Sequence, residues 1–264
     1  MSSRRATAPA ALVVAGTVAL LTLIVLPMLA LVVRAPWSDA LDLLREPANR
    51  TALRLSIVVS VWALLLSVVL GFPMAWVLAR SRIPGRRVLR ALVTLPMVLP
   101  PVVGGVALLV AFGRRGLIGQ WLDEWFGIRL AYTTTAAVLA ATFVSLPFFV
   151  VAVEAGLRNA DQRYEEVART LGAKPGTVMR RVTLPSIRSA LTAGAALSWA
   201  RALGEFGATI TFAGSFSGRT RTMPLAINAA LETDVRAAIM LSLVLLGVSV
   251  VVLASLRDRW LGAA

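Results

Sequence analysis

Asp161-Gln162-Arg163-Tyr164-Glu165-Glu166-Val167-Ala168-Arg169-Thr170-Leu171-Gly172 is a charged segment set between two long apolar stretches. Tyr164, Val167, Ala168 and Leu171 recur at i, i+3, i+4 and i+7, which puts them on one face of a helix. Asp161 is the expected N-cap, Glu165 and Glu166 favour the first turns, and Gly172 suits the left-handed residue that closes a helix. Pro175 can open a second short helix carrying Val178, Met179 and Val182, and Thr183-Leu184-Pro185 is expected to stop it. Two short helices therefore meet at a glycine. Their narrow apolar stripe, flanked by charge, fits a groove on a soluble partner. A helix lying on a lipid surface has the same pattern.

What surrounds this segment sets the class of the protein. A membrane-crossing helix needs about 20 apolar residues. Five windows without charge reach that length: 10–33, 55–79, 91–113, 130–153 and 237–256. A sixth, 189–213, is apolar except for Arg201 and Glu205. Backbone groups in hydrocarbon must bond internally, and the windows are too long and unbroken for membrane strands, so they are expected to be helices. The expected fold is all-α and integral to a membrane. It has one domain over residues 1–264 and six transmembrane helices, with the helical loop 157–188 between the fourth and fifth.

Composition agrees. Of the 264 residues, 58% are hydrophobic and 15% charged, and mean hydropathy is +0.80, whereas soluble domains are roughly 45–50% apolar. The surplus must face lipid. The net charge of +14 would suggest nucleic acid on a soluble chain, but here the basic residues sit in short loops and no basic face carries stacking aromatics. No nucleic-acid partner is expected. The absence of His and Cys excludes imidazole or thiolate metal sites, Cys nucleophiles and a Ser-His-Asp relay. No acidic cluster suggests a metal, and no carboxylates gather into a reaction centre, so neither a metal site nor catalytic residues are expected.

Orientation follows from the loops. With the N-terminus inside, the inner segments hold sixteen basic residues: Arg4, Arg5, Arg80, Arg82, Arg86, Arg87, Arg90, Arg158, Arg163, Arg169, Lys174, Arg180, Arg181, Arg188, Arg257 and Arg259. The outer segments hold ten, which places both termini in the cytoplasm. The first apolar run is 24 residues long, beyond the ~7–15 of a signal h-region, and is read as a retained span. Prolines 27, 73, 96, 100, 101 and 147 fall inside spans. Leu95-Pro96-Met97-Val98-Leu99-Pro100-Pro101 is the densest run, read either as a rigid bend or as a moving gate.

Glu166-Val167-Ala168, three residues, Gly172, nine residues, then Val182-Thr183-Leu184-Pro185 resembles the EAA motif of importer permeases in the ATP-binding cassette superfamily. All spacings agree, and Val167 replaces the first Ala of the family pattern. The resemblance implies that Tyr164, Glu166, Val167, Ala168, Leu171, Gly172, Val182, Leu184 and Pro185 form an ATPase-coupling loop in the cytoplasm. It implies two copies of the permease around a pore, two separate ATP-binding subunits carrying ATP and magnesium, and an extracytoplasmic oxyanion-binding protein, all in a bacterial inner membrane. This chain has no G-x-x-x-x-G-K-[ST] phosphate loop of its own, so no cofactor is expected in it and it is not read as an enzyme.

Arg201-Ala202-Leu203-Gly204-Glu205-Phe206-Gly207-Ala208, with Thr220-Arg221-Thr222-Met223-Pro224 beyond it, is similar to the molybdate permeases and more loosely to the sulfate permeases. The resemblance implies molybdate or tungstate as cargo, with sulfate or thiosulfate as the alternative. Arg201 and Glu205 are four apart and share a helix face. Two readings stand: an ion pair that fixes packing, or a face, with Thr209, that lines the translocation path. Arg219 and Arg221 either touch the binding protein or are solvated loop charges. An ion-coupled secondary transporter is the rival class, and it would need isolated acidic relays deep in the spans. Only Glu205 qualifies, and it has Arg201 beside it. The last apolar run lies close to Ala264, and no appended regulatory domain is expected.

Overall fold

Every regular element among the described residues is a helix. The computed structural model describes the backbone of residues 7–261 and the side-chain surroundings of residues 12–251. Arg4 and Arg5 lie outside the described residues, as do the side chains of Arg257 and Arg259. Helix α1 (Thr7–Arg34) is followed by a 3-10 turn (Trp37–Asp39), α2 (Ala40–Arg45) and the long α3 (Pro47–Arg80). Then come α4 (Arg86–Val98), α5 (Pro101–Phe112), α6 (Gly119–Phe126) and α7 (Thr134–Asn159). The charged segment folds as α8 (Arg163–Thr170), α9 (Pro175–Val178), a π-helical stretch (Met179–Thr183) and α10 (Leu184–Ser186). The chain closes with α11 (Arg188–Leu203), α12 (Gly207–Phe212), α13 (Met223–Thr233) and α14 (Val235–Leu261).

Among the described residues, three helices are long and apolar enough to cross a membrane: Leu12–Arg34 of α1, then α3 and α7. A fourth crossing is reached if α4 and α5 count as one, but they are bent by 116°. The window 91–113 is therefore not one straight helix. Leu99, before Pro100, is pushed to extended backbone (ψ 135°), and Pro100 and Pro101 have no N–H to carry the ladder across. The window 189–213 is also corrected: α11 ends at Leu203, and Gly204, Glu205 and Phe206 leave helical geometry before α12 begins. In the last window, α14 runs unbroken through residues 237–256. Prolines 27, 73, 96 and 147, by contrast, stay inside their helices.

Helices α3 and α7 form the central pair, and α11 packs on both. The buried stripe of α3 is Ala52, Ser56, Ser60, Ala63, Ser67, Gly71 and Ala75, small residues spaced three and four apart. It meets Ala136, Ala137, Ala140 and Ala141 of α7. In lipid, apolar side chains gain little by leaving their solvent, so close backbone packing and polar contacts join the helices. Serines supply the contacts. Ser67 Oγ lies 3.3 Å from Ser145 Oγ, Trp199 Nε1 donates to Ser60 Oγ (3.0 Å), and Met223 N–H donates to Ser56 Oγ (2.6 Å). Helix α13 packs on α14 and α3, and α12 on α5 and α7. Helix α1 lies against α14, and none of its apolar window among the described residues is buried.

The crossing of α5 over α12 is tight. A Cβ on Gly105 would meet Thr211 Cβ at 2.7 Å and the Ala208 carbonyl oxygen at 2.9 Å. Gly105→Val is therefore expected to cost about 1–3 kcal/mol through overpacking against backbone. The check is the melting temperature of the detergent-solubilised protein; an unchanged melt would mean the crossing is loose.

Candidate functional site for engaging a partner

The charged segment is fastened to the end of α3 by a buried carboxylate. Asp161 Oδ1 accepts from the N–H of Arg163 (2.9 Å), but Asp161 lies one residue before the N-cap position of α8, which is Gln162 and has no side-chain cap. Gly172 takes φ +82°, the left-handed geometry expected where α8 ends. Glu165 turns inward and is 6% exposed. Its Oε1 accepts from Arg80 Nη2 at the end of α3 (3.1 Å) and from Thr183 Oγ1 (3.1 Å), and its Oε2 from Arg169 (3.4 Å). One carboxylate thus joins α3, α8 and the π-helical stretch. A second buried carboxylate, Glu154 of α7, pairs with Arg90 of α4 and, at 2.9 Å, with Arg158.

With Glu165 inside, the opposite face of α8 is free of the rest of the chain. Tyr164, Val167 and Leu171 are 68%, 57% and 82% exposed. Glu166 and Pro185 are also exposed, and Ala168, Val182 and Leu184 are half-buried. Exposed apolar residues grouped on one short helix mark an interaction surface. The second helix does not stop at Thr183-Leu184-Pro185. Leu184 N–H bonds back to Met179 carbonyl, a wider π-type turn, and the helical course continues past Pro185 to Ile187. The widened turn removes the demand for the N–H that Pro185 lacks. The loop consequently runs into α11 through Ile187, which is 1% exposed against the α3–α7 core.

Arg201 and Glu205 meet as the sequence expects, at 2.7 Å, although the helix breaks between them. Glu205 Oε1 also accepts from the N–H of Ala208 (2.8 Å), which caps α12. The Glu205 side chain is 1% exposed and the Arg201 side chain 27%. Thr209 is 1% exposed, so of the three path candidates only Arg201 reaches an open surface. At the other end of the molecule, Arg221 is tied to Ser215 by two hydrogen bonds, whereas Arg219 is exposed and held by its carbonyl to Thr134. There, on exposed α6, the hydrogen bond from Arg129 holds the Asp123 carboxyl below the usual carboxylate range, with Arg114 adding to it.

Sequence reasoning placed the outer face of α8 but not its inner latch. Glu165, Arg80 and Thr183 carry no motif that ties them together, and the signal that was there is the presence of two adjacent glutamates, only one of which can face out. Among the described residues no group of three or more acidic side chains forms a metal site.

Comparison with known proteins extends this geometry. Residues 67–263 match the model of the family described as binding-protein-dependent transport system inner membrane component. The molybdenum transport system permease protein ModB of Mycobacterium tuberculosis is 50% identical over 236 residues, which is 89% of this chain and 89% of the relative. The sulfate transport system permease protein CysT of Salmonella typhimurium is 38% identical over 239 residues, 89% of this chain and 86% of the relative. Among solved structures, a bacterial alginate ABC transporter in complex with an alginate-pentasaccharide-bound periplasmic protein aligns with a TM-score of 0.74 at 14% identity. The alignment covers 97% of this chain and 93% of that one, and supports the fold alone.

Proposed function

We infer the working of this chain from the family to which it belongs, the inner-membrane components of binding-protein-dependent transport systems. It is the membrane permease of an importer that carries molybdate inward, and it is not itself an enzyme. The observation that carries this reading is the 50% identity to a molybdenum permease across nearly the whole chain. Sulfate is the alternative cargo, favoured by the more distant likeness to sulfate permeases.

The finer assembly is our reading. Six crossings are formed by α1, α3, the bent pair α4–α5, α7, the broken pair α11–α12, and α14, with both termini in the cytoplasm. Two copies enclose the pore. Two ATP-binding subunits, which hold ATP and magnesium, receive the exposed face of α8 formed by Tyr164, Val167 and Leu171. An extracytoplasmic oxyanion-binding protein delivers the cargo at the opposite end. Support for the coupling role is mechanical. Glu165 fastens α8 to α3, and the helical run through Val182, Leu184 and Pro185 leads into α11, so a push on the loop reaches the helices that pack the core.

The test is uptake into vesicles carrying the permease, the ATPase subunits and the binding protein. ATP-dependent molybdate uptake that exceeds sulfate uptake is expected, and sulfate uptake that matches or exceeds molybdate would overturn the cargo. Glu166→Lys with Gly172→Pro is expected to abolish uptake while leaving membrane insertion intact. Wild-type uptake in that variant would remove α8 from coupling. Uptake driven by a proton gradient without ATP would favour an ion-coupled carrier instead.

A further inference from the structure

The turn between α3 and α4 borders an open pocket of about 530 Å3 whose lining includes five arginines, Arg82, Arg86, Arg87, Arg90 and Arg158. One carboxylate, Glu154, serves Arg90 and Arg158. Arg86 donates to the Ser81 carbonyl (3.1 Å), and Arg82 and Arg87 have no carboxylate partner among the described residues. Five positive groups held around one negative group repel one another unless an anion joins them. The thirteen-residue α4 also starts here with no acidic residue in its first turn, so its positive dipole end adds to the field.

The surroundings say which anion. Val88, Leu92 and Leu95 of α4 recur at i, i+4 and i+7, and are 63%, 60% and 47% exposed. Leu89 and Val93 of the same helix pack on the cluster built around Phe149 and Leu157 of α7. An outward apolar stripe therefore begins beside the arginines and leads away along α4. A small hydrated anion has no use for that stripe. A molecule with a phosphate at one end and hydrocarbon at the other uses both.

We propose that this pocket binds the phosphate headgroup of an anionic phospholipid of the inner leaflet, with an acyl chain laid along Val88, Leu92 and Leu95. The proposal rests on the orientation given above, which puts this turn on the cytoplasmic side. Ser81, which also lines the pocket, adjoins Arg80, whose guanidinium holds Glu165. The lipid thereby braces the root of the coupling loop.

The test uses the complete permease–ATPase complex and native mass spectrometry, with cardiolipin, phosphatidylcholine and inorganic phosphate as separate probes. Wild-type complex is expected to retain cardiolipin selectively. Arg82→Gln with Arg87→Gln, both exposed and outside the Glu154 ion pairs, is expected to weaken retention about thirtyfold. Arg115→Gln at the opposite end is the control and should leave retention unchanged. Equal retention by wild type and the double variant would overturn the proposal. So would inorganic phosphate displacing cardiolipin at comparable concentration, which would make the pocket a site for a free anion. Retention is read without transport, so selective lipid binding in a complex that fails to import molybdate would count against the function alone. Molybdate import without lipid selectivity would count against this proposal alone.

Discussion

Glu165→Ala is expected to destabilise the permease by about 3–5 kcal/mol and to abolish ATP-driven uptake. The wild-type carboxylate is 8% exposed and faces an Arg80 side chain that is 10% exposed. Removing one member of a buried pair leaves the other charge without compensation, and that cost exceeds what the pair itself contributed. Arg80 is poorly placed to absorb the loss, because its Nε and Nη1 already lack hydrogen-bond partners. Thr183 would lose its acceptor in the same step. The seam between α8, α3 and the π-helical stretch then opens, and amide hydrogen exchange over residues 161–185 should rise sharply. Replacing both charges, Arg80→Met with Glu165→Leu, should recover most of the melting temperature, since well-packed apolar residues can take the place of a buried pair. A Glu165→Ala protein that melts and transports like wild type would mean that α8 is not held by this carboxylate.

The latch explains why the loop was legible from one side only. The exposed face follows from spacing within eight residues, Tyr164 to Leu171, and spacing is what a sequence displays. The inner face depends on Arg80, 85 residues away, which no local pattern connects to Glu165. Glu165 and Glu166 are equivalent as first-turn acids; only the folded chain decides that the first turns in and the second out.

The apolar runs were legible in composition but not in backbone course. Hydropathy registers the surroundings of a segment and is blind to its course, so 91–113 and 189–213 read as single helices. Pro73 and Pro147 lie inside unbroken α3 and α7, while Pro100-Pro101 separates α4 from α5 by 116°. The difference is physical. A lone proline removes one ladder bond, whereas two in succession remove two and also force Leu99 and Pro100 to extended backbone. In α11–α12 the break comes at Gly204, a poor helix former, and Glu205 supplies an acceptor for the new helix start.

That arrangement makes Glu205→Ala the other substitution with a large expected effect, a loss of about 3 kcal/mol with little remaining uptake. Two penalties combine. The N–H of Ala208 loses its acceptor, typically about 1 kcal/mol for a cap. Arg201 is left as an unpaired cation in an apolar span, which insertion scales set at roughly 2.5–3.5 kcal/mol before its partial exposure reduces the cost. Glu205→Gln keeps an oxygen for Ala208 and should fall between wild type and Glu205→Ala in melting temperature. Arg201→Met alone strands the buried carboxylate and should be as harmful as Glu205→Ala. The double variant Arg201→Met with Glu205→Gln removes both charges and keeps the cap, so it is expected to recover the wild-type melt. Its uptake then separates the two roles left open for this pair. One Glu205 oxygen accepts from Ala208, and the other lies 2.7 Å from Arg201 in an ion pair that lacks hydrogen-bond alignment; an ion pair within the chain favours a packing role and recovered uptake. A double variant that melts like wild type yet imports no molybdate would instead put the Arg201 guanidinium on the path of the anion.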